Sequence, residues 1–172
     1  MKKSWQVVLA GEGGQGLILA GRILSEAAIM DGNNVSLTSS YGIAARGGYS
    51  EAQVVISEKE LYYPRCASPD LVLALTREAY DRYVDFVNNN CLIIYDSNEI
   101  SKPKGKQEVG YDFKDALLTL GNLKVINSLF LGVVLKNCEI VSRESIISAL
   151  KKNMPPKILD INLKAFNYGL GA

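Results

Sequence analysis

Residues 9–24 read LAGEGGQGLILAGRIL, and this stretch carries the main prediction about the fold. Within positions 11–16 lie four glycines, with a glutamine before the last of them: Gly11, Gly13, Gly14, Gln15 and Gly16. Glycine costs backbone entropy, so this density indicates a tight turn or a close approach by another molecule. The apolar residues 5–10 predict a buried strand, and residues 16–30 show helical spacing. A strand, a glycine loop, a helix and then a strand at 35–40 are typical of the first βαβ unit of an α/β sheet.

The rest of the chain continues this alternation. Further strands are predicted at 51–57, 70–76 and 91–96. Residues 60–64 are predicted to be the return arm of a hairpin with 51–57. Residues 97–111 are predicted to form a loop or lid with a short strand near Glu108. Helices are predicted at 77–90, 112–121, 127–137, 142–154 and 155–171. We therefore predict a single domain spanning residues 1–172. Its fold class is α/β: a Rossmann-like sheet of five or six strands, mostly parallel with a hairpin, with helices on both faces and a helical C-terminal third.

The composition excludes several classes of function. The 172 residues include no histidine, which removes the commonest general base and metal ligand. The cysteines Cys66, Cys91 and Cys138 are too far apart in sequence to form a zinc or iron–sulfur motif, so we expect no metal site in this chain. A net charge of +1 gives no footprint for nucleic acid. No stretch is apolar enough for a membrane span or signal peptide, so we expect a cytoplasmic protein.

The loop GEGGQG matches the G-x-G-x-x-G pattern of dinucleotide-binding loops, and it stands between a strand and a helix as that pattern requires. A nicotinamide site also needs an acidic residue at the end of the second strand, which here ends in Thr38, Ser39 and Ser40. Asp31 has the right spacing but lies in the turn before the strand. The dinucleotide pattern is thus half met, and three readings stay open: a nicotinamide site, binding of another phosphate or coenzyme at the helix N-terminus, or a tight turn against which a helix or a partner packs.

A second glycine-rich loop, SSYGIAARGGYS, covers residues 39–50. Because it follows the second strand, we expect it at the same edge of the sheet as the first loop, where ligands bind in doubly wound folds. Its candidate site residues are Tyr41, Gly42, Arg46, Gly47 and Gly48. The planar guanidinium of Arg46 suits a carboxylate or phosphate, and a structural ion pair or interface contact is the alternative.

The two loops, in this order and separation, together with YPRCASPDLVLALTREAYDRY at 63–83, resemble the gamma subunit family of 2-oxoacid:ferredoxin (acceptor) oxidoreductases. Within that family, the chain is similar to gamma subunits of 2-oxoglutarate oxidoreductases. The resemblance covers about residues 5–170. Two departures from the family's pattern are Glu12 in the first loop and Ile43-Ala44-Ala45 in the second. Both weaken the case for a phosphate bound directly by this chain, and the Glu12 carboxylate would in addition repel it.

The resemblance implies an enzyme complex that converts a 2-oxoacid and coenzyme A to an acyl-CoA and carbon dioxide. In such complexes thiamine diphosphate and magnesium lie between the alpha and beta subunits. Iron–sulfur clusters in the beta subunit or a ferredoxin-like delta subunit pass electrons to ferredoxin or a similar acceptor. The gamma subunit carries no redox centre, which agrees with the absence of histidine and of a cysteine cluster.

The resemblance therefore predicts assembly with alpha, beta and delta subunits. One candidate contact surface is the apolar helix at 127–137, for which ordinary core packing is the alternative. Four tyrosines are further candidates, because aromatic residues are enriched at interfaces: Tyr41, Tyr49, Tyr62 and Tyr63. The glycine-loop residues would either dock on the catalytic subunits or line the route of coenzyme A. A free-standing nucleotide-binding oxidoreductase and a pure scaffold subunit are the alternatives, and the isolated chain is a candidate homodimer.

Overall fold

The computed structural model describes residues 4–41 and 47–171. Its strands are β1 (Ser4–Glu12), β2 (Asn34–Tyr41), β3 (Tyr49–Ser57), β4 (Leu71–Ala74), β5 (Leu92–Asp96) and β6 (Glu108–Tyr111). Its helices are α1 (Leu17–Met30), α2 (Arg77–Tyr83), α3 (Phe113–Leu120), α4 (Ile126–Asn137), α5 (Arg143–Asn153) and α6 (Pro156–Gly171), with a 3-10 turn at Leu123–Val125. The strand at Glu108 and the helical C-terminal third are confirmed.

Within the described residues, the strands form one sheet in the order β2-β3-β1-β4-β5-β6. The pairs β1–β4, β4–β5 and β5–β6 are parallel, whereas β3 is antiparallel to both β1 and β2. All strands except β3 therefore run in one direction. The α/β class and the mostly parallel sheet are confirmed.

The predicted hairpin is in the wrong place. Residues 60–64 form no strand, and the antiparallel neighbour that β3 reaches through a short connection is β2. Both edges of β3 are occupied, by β1 on one side and β2 on the other, so no position is left for a return arm. The segment instead lies over the sheet, where the Ser36 hydroxyl donates a hydrogen bond of 3.0 Å to the Pro64 carbonyl oxygen.

Two other sequence predictions need correction. The β1–α1–β2 unit has parallel strands as predicted, but β3 lies between them, so it is a split unit. Helix α2 ends at Tyr83, well short of residue 90. The Asn88 side chain accepts a hydrogen bond from the Asn90 backbone N–H at 2.8 Å, a local bond that favours a turn over a continued helix.

The two faces of the sheet are covered unequally. One face packs on α1, whose buried side chains include Ala20, Ile23 and Ala27, and the helices α4, α5 and α6 extend this larger core. The other face packs a smaller cluster around Ala79 and Tyr80 of α2. Helices on both faces are therefore confirmed, with α2 the helix on the thinner side.

Helices α4 and α6 cross with their backbones in contact. A Cβ atom on Gly132 would lie 2.2 Å from the Phe166 carbonyl oxygen, and one on Gly169 would lie 2.2 Å from the Leu129 carbonyl oxygen. Only glycine fits at both positions. Because α6 covers α4 in this way, residues 127–134 are all buried. Of the two predictions for this helix, core packing is therefore confirmed and a contact surface is wrong.

Residues 97–107 are tied to the body of the protein. The buried Tyr80 hydroxyl donates to the Glu108 carboxylate at 2.6 Å and accepts a hydrogen bond of 2.7 Å from the Lys104 backbone N–H.

Among the described residues, no helix is both long and apolar enough to cross a membrane.

Candidate functional site at the glycine loops

The two glycine-rich loops meet at one edge of the sheet. The Gly13 backbone N–H donates a hydrogen bond of 2.8 Å to the Gly48 carbonyl oxygen. The contact follows from the strand register, in which Glu12 at the end of β1 is paired with Tyr49 at the start of β3. Of the predicted site residues in the second loop, Gly42 and Arg46 lie outside the described residues, and Tyr41 ends β2 through its backbone pairing with Ser50.

This edge is also the point where the sheet changes its winding. Strands β1 and β4 are parallel neighbours, yet β1 leads into α1 on one face and β4 leads into α2 on the other. In open α/β sheets, ligands bind outside the carboxyl ends of strands at such a switch point. The ends of the two strands are tightly packed, since a Cβ on Gly11 would lie 3.1 Å from the Leu75 Cβ.

The glycines of the first loop serve different purposes. Gly16 precedes α1 with φ 75°, and a Cβ there would also crowd Asn127 at 3.1 Å. Gly14 has φ 107° and faces open space, because nothing lies within 4 Å of a Cβ built on it. Gly13 has no positive φ, and its Cβ would make ordinary contact with the Gly48 carbonyl oxygen at 3.6 Å. Gly13 and Gly14 are therefore the positions where another molecule can approach the backbone.

Gln15 braces the loop from within. Its Oε1 atom accepts a hydrogen bond of 2.7 Å from the Glu12 backbone N–H and occupies the space that a Gly11 side chain would need. The backbone N–H of Gln15 donates to the Glu12 carbonyl oxygen at 3.2 Å. Together with the Gly13 bond, this leaves the amides of residues 12, 13 and 15 with partners inside the protein. The backbone N–H groups that remain available to another molecule are those of Gly14 and Gly16, which have no hydrogen-bond acceptor among the described residues, and those of the first turn of α1, which no side chain caps.

The Glu12 side chain lies at the joint between the loops. Its Oε1 atom would be 3.2 Å from a Cβ on Gly47, a residue that also has φ 77°. Glycine at position 47 is thus favoured both by conformation and by space. The carboxylate at this joint would repel a phosphate, so binding of a phosphate there is unfavourable.

A polar network beside the second loop was missed by the sequence analysis. Its centre is the Glu51 carboxylate, which accepts hydrogen bonds from the hydroxyls of Tyr49 and of Tyr83, the latter at 2.7 Å, and from the Gln53 amide at 2.9 Å. The Arg82 guanidinium lies 3.8 Å from the centre of the Tyr49 ring. The network joins α2 to the residue that follows Gly48. Alternating polar residues at 51 and 53 of an otherwise apolar strand were the available signal.

The surroundings of this network favour the neutral forms of its two tyrosines. Burial, followed by the hydrogen bond and charge of Glu51, raises the pKa of Tyr49 and of Tyr83. Burial also raises the pKa of the Cys66 thiol to about 12, with the carboxylates of Glu51 and Asp70 contributing. A thiol with so high a pKa is a poor nucleophile at neutral pH.

The predicted contact tyrosines differ in their surroundings. Tyr49 is held by its hydrogen bond to Glu51, whereas Tyr62 and Tyr63 are 88% and 62% exposed and remain candidate contact residues.

Other features that might have carried a site lie elsewhere or are absent. A cavity of about 560 Å³ lies near the N-terminal ends of β1 and β2, beside Trp5, Asp31 and Ser142, and does not touch the glycine loops. Asp31 accepts hydrogen bonds from the Ser142 N–H at 2.6 Å and hydroxyl at 2.8 Å, so it braces the start of α5. Within residues 4–41 and 47–171, no group of three or more acidic, cysteine or histidine residues is arranged to hold a metal ion.

The fold and the joined loops define a Rossmann-like α/β domain with its candidate site at a switch point. The chain belongs to the POR family, pyruvate ferredoxin/flavodoxin oxidoreductase, whose profile matches residues 6–172. The family resemblance inferred from the glycine loops is thereby confirmed.

The individual relatives match the chain from end to end. The 2-oxoglutarate synthase subunit KorC of Methanocaldococcus jannaschii is 33% identical over 175 residues, which cover 98% of this chain and 94% of that protein. The crystal structure of the keto/oxoacid ferredoxin oxidoreductase gamma subunit from Geobacter sulfurreducens superposes with a TM-score of 0.84 at 35% identity, covering 98% and 99% of the two chains.

A third match shows the same fold within a larger protein. The 2-oxoglutarate:ferredoxin oxidoreductase from Magnetococcus marinus, solved with 2-oxoglutarate, coenzyme A and succinyl-CoA, has a TM-score of 0.89 at 23% identity. The superposition covers 99% of this chain but 31% of that one. At this identity the match establishes the shared fold alone.

Proposed function

We propose that this chain is the gamma subunit of a 2-oxoacid:ferredoxin oxidoreductase complex that acts on 2-oxoglutarate. The observation that carries the proposal is the end-to-end match with a 2-oxoglutarate synthase subunit of nearly the same length. The reaction of such a complex converts 2-oxoglutarate and coenzyme A to succinyl-CoA and carbon dioxide, with two electrons passed to ferredoxin or a similar acceptor. The alpha, beta and ferredoxin-like delta subunits are the expected partners, and the cytoplasm is the expected location.

The redox and carbanion chemistry belongs to the other subunits in this proposal. Thiamine diphosphate with magnesium would supply the site that releases carbon dioxide, and iron–sulfur clusters would carry the electrons. This chain contains no histidine, and its cysteines Cys66, Cys91 and Cys138 form no disulfide with one another. The raised pKa of the Cys66 thiol also argues against a covalent role for it.

The role we assign to this chain lies at the edge built by its glycine loops. The open backbone at Gly14, beside the joint that Gly13 makes with Gly48, lets another molecule approach closely, as docking on a catalytic subunit requires. The internal hydrogen bonds of the loop amides and the Glu12 carboxylate disfavour a dinucleotide cradle there. Contacts with a coenzyme A phosphate would fall to the uncapped first turn of α1 and to Arg46 of the second loop.

Native purification tests the proposal. The chain is tagged in its own host, purified without oxygen, and examined by mass spectrometry and visible spectroscopy. A brown complex that contains a thiamine-binding subunit and a cysteine-rich subunit is the expected result. A colourless chain recovered alone with a bound nucleotide would overturn the proposal in favour of a free-standing oxidoreductase. Thermal-shift titrations with NAD, NADP and coenzyme A then identify the nucleotide.

A further inference from the structure

Strand β2 forms one edge of the sheet and is open along its whole length. It pairs with β3 through all eight of its residues, Asn34–Tyr41. Among the described residues, no other backbone group hydrogen-bonds to it. Every second residue of an edge strand directs its N–H and C=O groups outward, so β2 presents a template for another strand.

This edge lacks the usual features that prevent strands from pairing between molecules. Residues 34–41 read NVSLTSSY, with no charged residue and no proline. The register with β3 advances one residue at a time, without a bulge. The opposite edge, β6, has four residues and carries the charged Glu108. Natural edge strands are normally short or protected by charge, proline or bulges, so β2 is unusual for an edge that stays unpaired.

An apolar flank accompanies the open edge. Gly21 faces β2, since a Cβ on it would lie 3.0 Å from the Leu37 Cδ1. At 100° per residue, Ile18 and Ile29 lie next to the buried Ser25, on one flank of α1. Ile18 is half-buried and packs against the larger core. Ile29 is 59% exposed and Leu37 is 37% exposed. The flank of α1 next to β2 therefore carries the apolar Ile18 and Ile29 beside one exposed charged residue, Arg22.

The position of α1 fits a second copy of the same edge. Helix α1 contacts β2 and β3 more extensively than β1. A Cβ on Gly21 would lie 2.9 Å from the Ala52 Cβ of β3 and 3.0 Å from the Leu37 Cδ1 of β2, so we take the helix axis to lie over the space between these two strands. With strands about 4.8 Å apart, a twofold axis beside β2 would lie about 4.8 Å from the α1 axis. Two copies of α1 related by that axis would be about 10 Å apart, which is the separation of packed helices.

We infer that β2 pairs antiparallel with β2 of a second copy of this chain, joining two six-stranded sheets about a twofold axis. An uncharged strand brings no like charges together when it meets itself. The pairing also buries Ile18, Ile29 and Leu37 between the two α1 helices. The glycine-loop edges lie at opposite ends of the paired strands, about 25 Å apart along the strand direction, so both stay free for other partners.

Sedimentation of the purified full-length chain tests this inference, with the monomer mass of 18.8 kDa as reference. The wild type is expected to sediment at twice that mass at micromolar concentration. Ser39→Lys on the exposed part of β2 and Ile29→Lys on α1 are expected to give monomers with unchanged far-UV circular dichroism. The control Leu123→Lys, at an apolar residue that is 67% exposed outside this surface, is expected to leave the dimer intact.

Hydrogen exchange of residues 34–41 distinguishes this pairing from a dimer formed elsewhere. The outward amides of β2 are expected to be protected in the wild type and to exchange rapidly in Ile29→Lys. A monomeric wild type, or a dimer that survives both lysine variants, overturns the inference. Protection of β2 that appears only when the chain joins other subunits would also overturn it, since another subunit would then cover the edge.

Discussion

The Gly13 N–H donates a hydrogen bond to the Gly48 carbonyl oxygen at 2.8 Å, and this bond joins two loops that are far apart in sequence. It turns the two glycine-rich segments into one surface at the switch point of the sheet. The same bond uses an amide that a dinucleotide loop would offer to a phosphate. The surface is therefore better suited to close packing against another molecule than to cradling a pyrophosphate.

Replacing Gly13 tests the role of this surface. Gly13→Val keeps an allowed backbone, because Gly13 has no positive φ, but it places methyl groups on the exposed joint. We expect a folded chain that assembles poorly or raises the KM of the complex for coenzyme A at least several-fold. Pull-down of the other subunits and steady-state kinetics provide the readouts.

Gly171→Val is the matched control for that experiment. Gly171 also has no positive φ, and nothing lies within 4 Å of a Cβ built on it, but it lies at the end of α6. This variant is expected to behave as the wild type. A Gly13→Val complex that assembles with an unchanged KM for coenzyme A would remove the glycine loops from the proposed function. Gly14→Val is a poorer probe, because φ 107° strains any other residue.

The α4–α6 crossing predicts a large loss of stability from a single methyl group. Gly132→Ala or Gly169→Ala places a Cβ 2.2 Å from a backbone oxygen, so the helices must separate. We expect each variant to lower the free energy of unfolding by about 3 kcal/mol or more, measured by urea denaturation. Gly171→Ala in the same helix is expected to change it by less than about 1 kcal/mol. Equal effects at all three positions would contradict the packing described.

The Glu51 network predicts coupling between α2 and the strand that follows the second loop. Tyr83→Phe removes one hydrogen bond to a carboxylate and is expected to cost about 2 kcal/mol of unfolding free energy. In a Glu51→Ala background the same change is expected to cost much less, because the acceptor is already gone. A double-mutant cycle measured by urea unfolding gives the coupling energy. Additive losses would show that the two side chains act independently.

Asp31 predicts a pH-dependent part of the stability. Burial alone would raise the pKa of Asp31, but hydrogen bonds from Ser145 and Ser142 outweigh it and lower the pKa below 3.8. A lowered folded pKa stabilises the protein at pH values above the unfolded pKa, and the contribution is lost as the pH falls through the folded value. Asp31→Asn is therefore expected to lower the free energy of unfolding at neutral pH, by about 1 kcal/mol at most, because solvent screens the exposed carboxylate.

Urea unfolding of the wild type and Asp31→Asn at several pH values checks this sign. The difference between the two proteins should shrink steadily below pH 3.8, the ordinary value of the group. A difference that stays constant from neutral to acid pH would mean that the carboxylate charge contributes nothing. The prediction concerns the start of α5, since Asp31 accepts hydrogen bonds from the backbone and hydroxyl of Ser142 there.

Local sequence signals were sufficient for the elements that position the site. The glycine loop between an apolar strand and a periodic helix predicted β1 and α1. The helices predicted at 112–121 and 142–154 begin at residues that cap α3 and α5, Asp112 and Ser142. The shared edge of the two glycine loops followed from strand direction alone. These features depend on residues close together in the chain, which periodicity and turn chemistry describe well.

Features that depend on long-range pairing were not accessible in this way. Nothing in residues 49–57 indicates that β3 enters between β1 and β2, because an apolar strand suits either position. The Glu51 network needs Tyr83 from another element, so its function could not be read from β3 alone. Gly132 within an apolar helix was a sign of close backbone packing, but its partner Gly169 appears only when α4 and α6 are docked.

Acceptor reduction by the native complex, with and without this chain, tests the central claim most directly. The complex is assayed without oxygen for coenzyme A-dependent reduction of a low-potential dye by a panel of 2-oxoacids. The account predicts the highest kcat/KM with 2-oxoglutarate, and loss of that activity when the complex is rebuilt without this chain. No 2-oxoacid-dependent reduction, or the same rate without the chain, would contradict it.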